Sequence, residues 1–231
     1  MIKFSLVIPC FNEAKNLPLL VDKCLKLAAS CDCEILIVNN GSSDDTKIVL
    51  TNLLKDFDKI RLINIDTNIG YGHGIIEGLK QTKGEILGWT HADLQTDPLD
   101  CLSALKFFND KEAVFVKGRR RGRSFLDNLF TIGMSIFESI LLKKWMWDIN
   151  AQPTMFNREF FEDWKNMPND FSLDLYSYFN AKSSNINVER VPVYFRKRAH
   201  GVSNWNNGFF SRYKFIKRTI DYSLKLRKEI L

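Results

Sequence analysis

The chain has 231 residues, 45% of them hydrophobic, enough for one large domain or two small ones with a packed core. Its five cysteines (Cys10, Cys24, Cys31, Cys33 and Cys101) are odd in number and form no pair of Cys-x-x-Cys units. This argues against a disulfide scaffold or a zinc framework and for reduced thiols in a cytosolic protein. The formal charge of +6 is uneven: residues 1–118 hold 13 Lys+Arg against 16 Asp+Glu, and residues 119–231 hold 20 against 11, so the second half expects an anionic partner.

No run approaches membrane-spanning length, and the first residues read as a strand rather than a secretory signal. In chain order, Phe4–Pro9 reads as a strand and Asn16–Ala29 as a helix with apolar residues on one face. Glu34–Asn39 is a strand, Asp44–Phe57 a helix, Ile60–Ile65 a strand and Gly72–Lys80 a helix. Glu85–Trp89 is a strand, Pro98–Phe108 a helix and Ala113–Lys117 a strand. Repeated β-α units imply a largely parallel sheet covered on both faces. Beyond Gly118 the pattern loosens. Leu126–Leu142 is an apolar helix, and Arg158–Trp164 and Leu173–Asn180 are short ones. Ile186–Phe195 is a strand whose Pro192 favours an edge or a bulge. Phe209–Ile230 is a basic, aromatic helix. The organisation expected is one domain over residues 1–205 with a helical extension over residues 206–231.

The apolar run of the fourth strand stops at His91-Ala92-Asp93-Leu94-Gln95. In an extended segment, side chains two apart point the same way, so Asp93 and Gln95 offer two oxygens to one hard cation. The alternative is that Asp93 opens a turn ahead of Asp97-Pro98. Three further segments end strands: Val7-Ile8-Pro9-Cys10-Phe11-Asn12-Glu13, Ile37-Val38-Asn39-Asn40-Gly41-Ser42, and Asn68-Ile69-Gly70-Tyr71-Gly72. Ligands of open α/β sheets collect beyond the carboxyl ends of strands, so all four can line one crevice.

These four motifs, in this order, resemble the inverting family 2 glycosyltransferases of GT-A fold. Within them the chain looks most like the dolichyl-phosphate mannose synthase group, which moves a sugar from a nucleotide to a polyprenyl phosphate. The resemblance covers roughly residues 3–205. It implies a Rossmann-like, mostly parallel sheet with helices on both faces and a C-terminal helical extension. By the resemblance Pro9, Phe11, Glu13, Val38, Asn40, Gly70 and Ala92 bind the donor. His91, Asp93 and Gln95 hold a divalent cation, Mg²⁺ or Mn²⁺, with His91 near the diphosphate. The family's Asp-Asp-Gly-Ser is Asn39-Asn40-Gly41-Ser42 here, and His91 replaces the first Asp of Asp-x-Asp. An imidazole suits Mn²⁺ better than Mg²⁺. For His91 the plain alternative is a capping or packing histidine.

Gly118-Arg119 resembles the family's Gly-Ser-Arg, which implies Arg119 on the donor phosphate. Arg123 lies on a loop suited to an acceptor phosphate, since guanidinium offers several donors in one plane. Glu189 to Asn204 resembles the family's second phosphate-binding stretch: Arg198, Gly201 and Ser203 match, while Asn204 stands where Lys is usual. Asp148 occupies the place of a further family Asp and is the base expected if the acceptor is a hydroxyl; its alternative is a turn aspartate.

The function expected is an inverting, metal-dependent transfer from a nucleotide-diphosphate sugar to a polyprenyl phosphate. A second reading is transfer to a sugar hydroxyl in surface-polysaccharide or lipopolysaccharide assembly. A third is a degenerate transferase kept as a nucleotide-binding scaffold. A nucleic-acid partner is not expected, for want of any such motif. The apolar 126–142 helix, followed by Lys143, Lys144, Trp145 and Trp147, and the basic tail suit the inner face of the cytoplasmic membrane; packing on the domain or on a second copy of the chain is the alternative.

Overall fold

The computed structural model describes residues 3–109, 112–201 and 209–230, and in the last helix the side chains of residues 213 and 216–228. Strands β1 (Phe4–Cys10), β2 (Cys33–Asn40), β3 (Ile60–Ile65), β4 (Ile86–Trp89), β5 (Val114–Arg121), β6 (Thr154–Asn157) and β7 (Asn187–Tyr194) form one sheet in the order β3-β2-β1-β4-β6-β5-β7. All neighbours are parallel except β6, which runs antiparallel to both β4 and β5. The helices are α1 (Leu17–Ser30), α2 (Thr46–Leu53), α3 (Tyr71–Leu79), α4 (Asp100–Ala104, continued by a 3₁₀ turn to Phe108), α5 (Phe125–Leu142), α6 (Arg158–Glu162), α7 (Ser172–Ser183) and α8 (Phe209–Ile230).

Alternation along the strands separates two cores. Leu6, Ile8, Ile35 and Ile37 face α1, where Leu17, Leu20, Cys24 and Leu27 repeat at helical spacing. Val7, Leu36, Val38 and Trp89 face the other way, onto Ile75, Ile76 and Leu79 of α3 and Leu173 and Tyr178 of α7. Both faces are covered, as parallel pairing requires. β1 and β2 are buried almost throughout, so their runs read as continuous apolar stretches.

The sequence missed β6. Its four residues are too few for a periodic signal, and they follow Pro153. β5 runs four residues past the expected Lys117 because β7 pairs alongside it, with Pro192 opposite Arg119 on the sheet edge. The expectation of no membrane-length segment does not hold. α5 has 18 residues, is apolar enough to cross a bilayer by length and composition, and is 22% buried. Phe125, Leu126, Leu129 and Ile140 on it are exposed. α8 is docked through Leu226, which is buried, and through a hydrogen bond between Ser223 and Glu138 of α5.

Candidate active site

The strand order reverses between β1 and β4: β2 and β3 build to one side of β1, and β4 starts the other side. A crevice opens at such a point beyond the carboxyl ends of the strands. A cavity of about 460 Å³ lies there.

The loop after β1 is tied to the loop after β2. Asn12 accepts at Oδ1 from the Ser43 N–H (2.8 Å) and donates its own N–H to Ser42 Oγ (3.1 Å). The Glu13 N–H donates to Thr46 Oγ1 at 3.0 Å. Two glycines let the next loops close in. A Cβ on Gly41, at φ +67°, would lie 2.4 Å from the Asn68 nitrogen, and one on Gly70, at φ +152°, would lie 2.3 Å from the Asn169 carbonyl oxygen. Asn39 donates to Asn64 Oδ1 at 3.1 Å and accepts from the Ser42 N–H at 3.3 Å, a pairing that uses an amide's donor and acceptor together. Asn40 donates to the Gly70 carbonyl at 2.9 Å, and its buried Oδ1 has no partner among the described residues. That oxygen is an open acceptor on the cavity wall.

Beyond β4, Asp93 is 7% exposed and lines the cavity. Its Oδ1 accepts from the Gln95 N–H at 3.1 Å, and its Oδ2 pairs with Arg198 Nη2 at 2.8 Å. The same guanidinium reaches Glu13 Oε1 at 3.6 Å. Gln95 donates its side-chain amide to the Arg196 carbonyl at 3.2 Å and lines the cavity. Burial lowers the pKa of His91 despite the carboxylates of Asp93 and Asp174, so the ring is neutral at pH 7 and keeps a lone pair. Its ring lies 5.5 Å from Tyr71, which stacks on Phe171 at 4.4 Å.

Among the described residues no three His, Cys, Asp or Glu side chains surround one point as a protein-made metal cage would. One carboxylate, one neutral imidazole and one amide oxygen instead fit a cation whose other ligands come from a diphosphate and water, the usual condition of Mg²⁺.

Part of the wall is basic. Arg120 and Arg123 line the cavity and both lie over the Phe195 ring, at 5.4 and 5.3 Å from its centroid. Burial and the neighbouring Arg120 push the pKa of Arg123 down to about 10, and its Nη1 donates to Thr131 of α5.

Of the residues expected from the sequence, Pro9, Phe11, Glu13, Asn40 and Gly70 line this cavity. So do His91, Ala92, Asp93, Gln95, Arg123 and Arg198. Three do not. Val38 is fully buried against α3, because alternation along β2 turns it into the core, while Asn40, two residues on and on the same face, lies over Gly74 of α3 and reaches the crevice. Arg119 is exposed outside the cavity, and Arg120, the next residue along β5, takes the inward place. Asp148 is 3% exposed behind the wall, where it holds Arg120. Burial alone would raise its carboxyl pKa; the charge and hydrogen bonds of Arg120, with Arg190 beyond, outweigh burial and hold it below the usual value. Ser203 and Asn204 lie outside the described residues. Sequence reasoning missed Phe171 and Glu138 as wall residues, which come from a loop and a helix with no motif of their own; Tyr71, within the motif after β3, lines the cavity as well.

The family model described as glycosyl transferase family 2 matches residues 5–173. A dolichyl-phosphate beta-glucosyltransferase of Trichomonas vaginalis is 38% identical over 96 residues, covering 38% of this chain and 30% of that protein. An undecaprenyl-phosphate 4-deoxy-4-formamido-L-arabinose transferase of Yersinia pestis is 36% identical over 102 residues, covering 42% and 30% respectively. The chain thus matches under a third of the length of these curated relatives. Glucosyl-3-phosphoglycerate synthase of Mycobacterium tuberculosis, solved with Mn²⁺, UDP and phosphoglyceric acid, superposes with a TM-score of 0.77 at 16% identity, over 97% of this chain and 78% of that one. The same enzyme solved with Mg²⁺ and UDP gives 0.74 at 18% identity, over 97% and 79%. These likenesses identify the GT-A fold.

Proposed function

The chain belongs to glycosyl transferase family 2, and on that premise we propose that it transfers a sugar from a nucleoside-diphosphate sugar to a polyprenyl phosphate, with inversion at the anomeric carbon. The observation that carries this reading is that one cavity is lined by two groups of side chains: Asn40, His91 and Asp93 beyond the strand ends, with Arg198 paired to Asp93, and the guanidinium groups of Arg120 and Arg123 beside α5. The first group suits a nucleoside diphosphate. The second suits a phosphate acceptor, which presents an oxygen anion to planar donors.

In this scheme Asn40 Oδ1 accepts from the nucleoside, and Asp93, His91 and Gln95 would hold a divalent cation against the diphosphate. Such a cation, when bound, takes up charge on the leaving group. An acceptor phosphate oxygen attacks the anomeric carbon from the face opposite the diphosphate. The new C–O bond forms as the old one breaks, and its electron pair leaves on the diphosphate. No proton moves, so no general base is needed; the arginines hold the acceptor in line. Arg198, which pairs with Asp93 and reaches Glu13, would lie beside the diphosphate and could add a charge-assisted hydrogen bond to it.

A lipid acceptor also accounts for the exposed apolar residues of α5, which begins two residues after Arg123. Phe125, Leu126 and Leu129 could enter a bilayer interface while the arginines beside them meet its phosphates, which would put the protein at the inner face of the cytoplasmic membrane. Transfer to a hydroxyl is the second reading, supported by the phosphoglyceric acid bound in the structural neighbour.

Thermal stabilisation by nucleoside diphosphates, with Mn²⁺, Mg²⁺ or EDTA, tests the donor side, because a ligand of the folded state raises the midpoint by mass action. A metal-dependent shift with one nucleotide is expected. No shift with any nucleotide in any metal contradicts the reading.

A further inference from the structure

The cavity continues past the crevice into the seam between α5 and α8, where Thr131, Met134 and Ser135 of α5 and Thr219 of α8 wall it. Glu138, one turn further along α5, is 0% exposed and lines this end. Its Oε1 lies 2.8 Å from Ser223 Oγ, and the same hydroxyl lies 2.7 Å from the Thr219 carbonyl oxygen. One hydroxyl proton serves one acceptor at a time. In the ionised carboxyl the Ser223 hydroxyl serves Oε1 and Oε2 is left as an acceptor; in a neutral carboxyl whose Oε1 still accepts from Ser223 the proton sits on Oε2, which then donates. In either form Oε2 has no partner among the described residues. No ion pair among the described residues involves Glu138, and burial, opposed by the Ser223 hydrogen bond, pushes its pKa up to about 7.

A buried polar atom without a partner is costly and rare, so a cavity-facing one marks the place of a ligand group. We propose that Glu138 is a specificity-determining residue whose Oε2, with the carboxyl ionised, accepts a hydrogen bond from a hydroxyl of the sugar being transferred. This rests on the transferase reading. Among the ligands of that reaction the polyprenyl chain has no donor, and the acceptor phosphate dianion has none. The nucleoside belongs at Asn40, on the crevice side. The sugar is the remaining hydroxyl-bearing group, and the seam is the part of the cavity left for it. A site built to bond a hydroxyl discriminates strongly against the analogue lacking it, so Glu138 selects which sugar is accepted.

The test is calorimetric binding of UDP, GDP and their glucose and mannose conjugates to wild type, Glu138→Met and Glu138→Gln, each checked by thermal melting. Methionine keeps the length and removes the acceptor; glutamine keeps an oxygen. The expected result is unchanged affinity for the bare nucleotide in every variant, a loss of about tenfold or more for the sugar conjugate in Glu138→Met, and recovery of most of it in Glu138→Gln. Binding of deoxy-sugar conjugates to wild type gives an arm that needs no variant: removal of one particular hydroxyl must weaken binding by about the same factor. Equal affinities of wild type and Glu138→Met for the conjugate, or a deoxy series with no sensitive position, overturns the assignment while leaving the transferase intact. Failure of wild type to bind any nucleotide overturns the transferase reading itself, and this assignment with it.

Discussion

Arg120 occupies both oxygens of Asp148: its backbone N–H donates to Oδ2 at 2.9 Å and its Nε to Oδ1 at 2.8 Å. Asp148 itself sits at φ +49°, with its N–H donated to Ser135 of α5 at 3.0 Å. A carboxylate so engaged, and held ionised, is an orienting group for Arg120 rather than a base waiting for a proton.

Asp148→Asn is therefore expected to lower transfer on the order of 10- to 100-fold by loosening Arg120, while the pH dependence of the rate keeps its shape. A general base would instead lose its pH limb. The same change breaks a buried pair and should cost about 3 kcal/mol in a denaturant titration. With a folded-state pKa below the unfolded value of 3.8, Asp148 contributes stability above that pH, lost as the pH falls through the lower folded value.

Asp93→Ala should reduce transfer by about 10²- to 10³-fold, the scale seen when one preorganised charge-stabilising group is removed. The clearer readout is binding. Wild type should bind its nucleotide more tightly with Mn²⁺ than with EDTA, and Asp93→Ala should bind equally under both conditions. A persisting metal dependence would move the cation away from Asp93.

Arg123→Ala removes a guanidinium that packs on Phe195 and bonds Thr131. The account expects the KM for a phosphate acceptor to rise about tenfold and the affinity for the donor nucleotide to stay within twofold. A change in both, measured by steady-state kinetics and calorimetry, would place Arg123 on the donor instead.

Glu138 ties stability to neutral pH. Its pKa rises from 4.5 to about 7 on folding, so the proton it holds stabilises the fold fully below pH 4.5, and that contribution is lost as the pH rises through 7. The linkage is worth about 3 kcal/mol at its limit. The charged groups at that end of the cavity are Arg218 of α8, paired with Asp170 ahead of α7, and, from β5 and the loop after it, Arg120 and Arg123. Urea titrations at pH 5 and pH 8 should show wild type losing stability relative to Glu138→Gln over that interval. Parallel curves would contradict it.

The parallel half of the sheet was legible because each strand is a buried apolar run ending in a polar motif, and those motifs must meet when the strands run parallel. What escaped was of three kinds. β6 is too short to carry a period and borrows its strand geometry from β4 and β5. Arg119 and Arg120 are indistinguishable as residue types, and only the pairing of β5 with β7 determines which turns inward. Asp148 and Glu138 acquire their roles from partners 28 and 85 residues away, and no local pattern encodes such a distance. Val38 is the reverse case: it neighbours a site motif, and its place on the strand makes it core.

The most direct test is transfer itself. Purified protein is incubated with Mn²⁺, a short-chain polyprenyl phosphate in detergent and a panel of radiolabelled nucleotide sugars, and the organic phase is counted. The account predicts label in the lipid phase from one donor, released by mild acid as the free sugar, and absent with Asp93→Ala. A protein that binds its nucleotide yet puts no label into lipid from any donor would contradict the polyprenyl-phosphate acceptor.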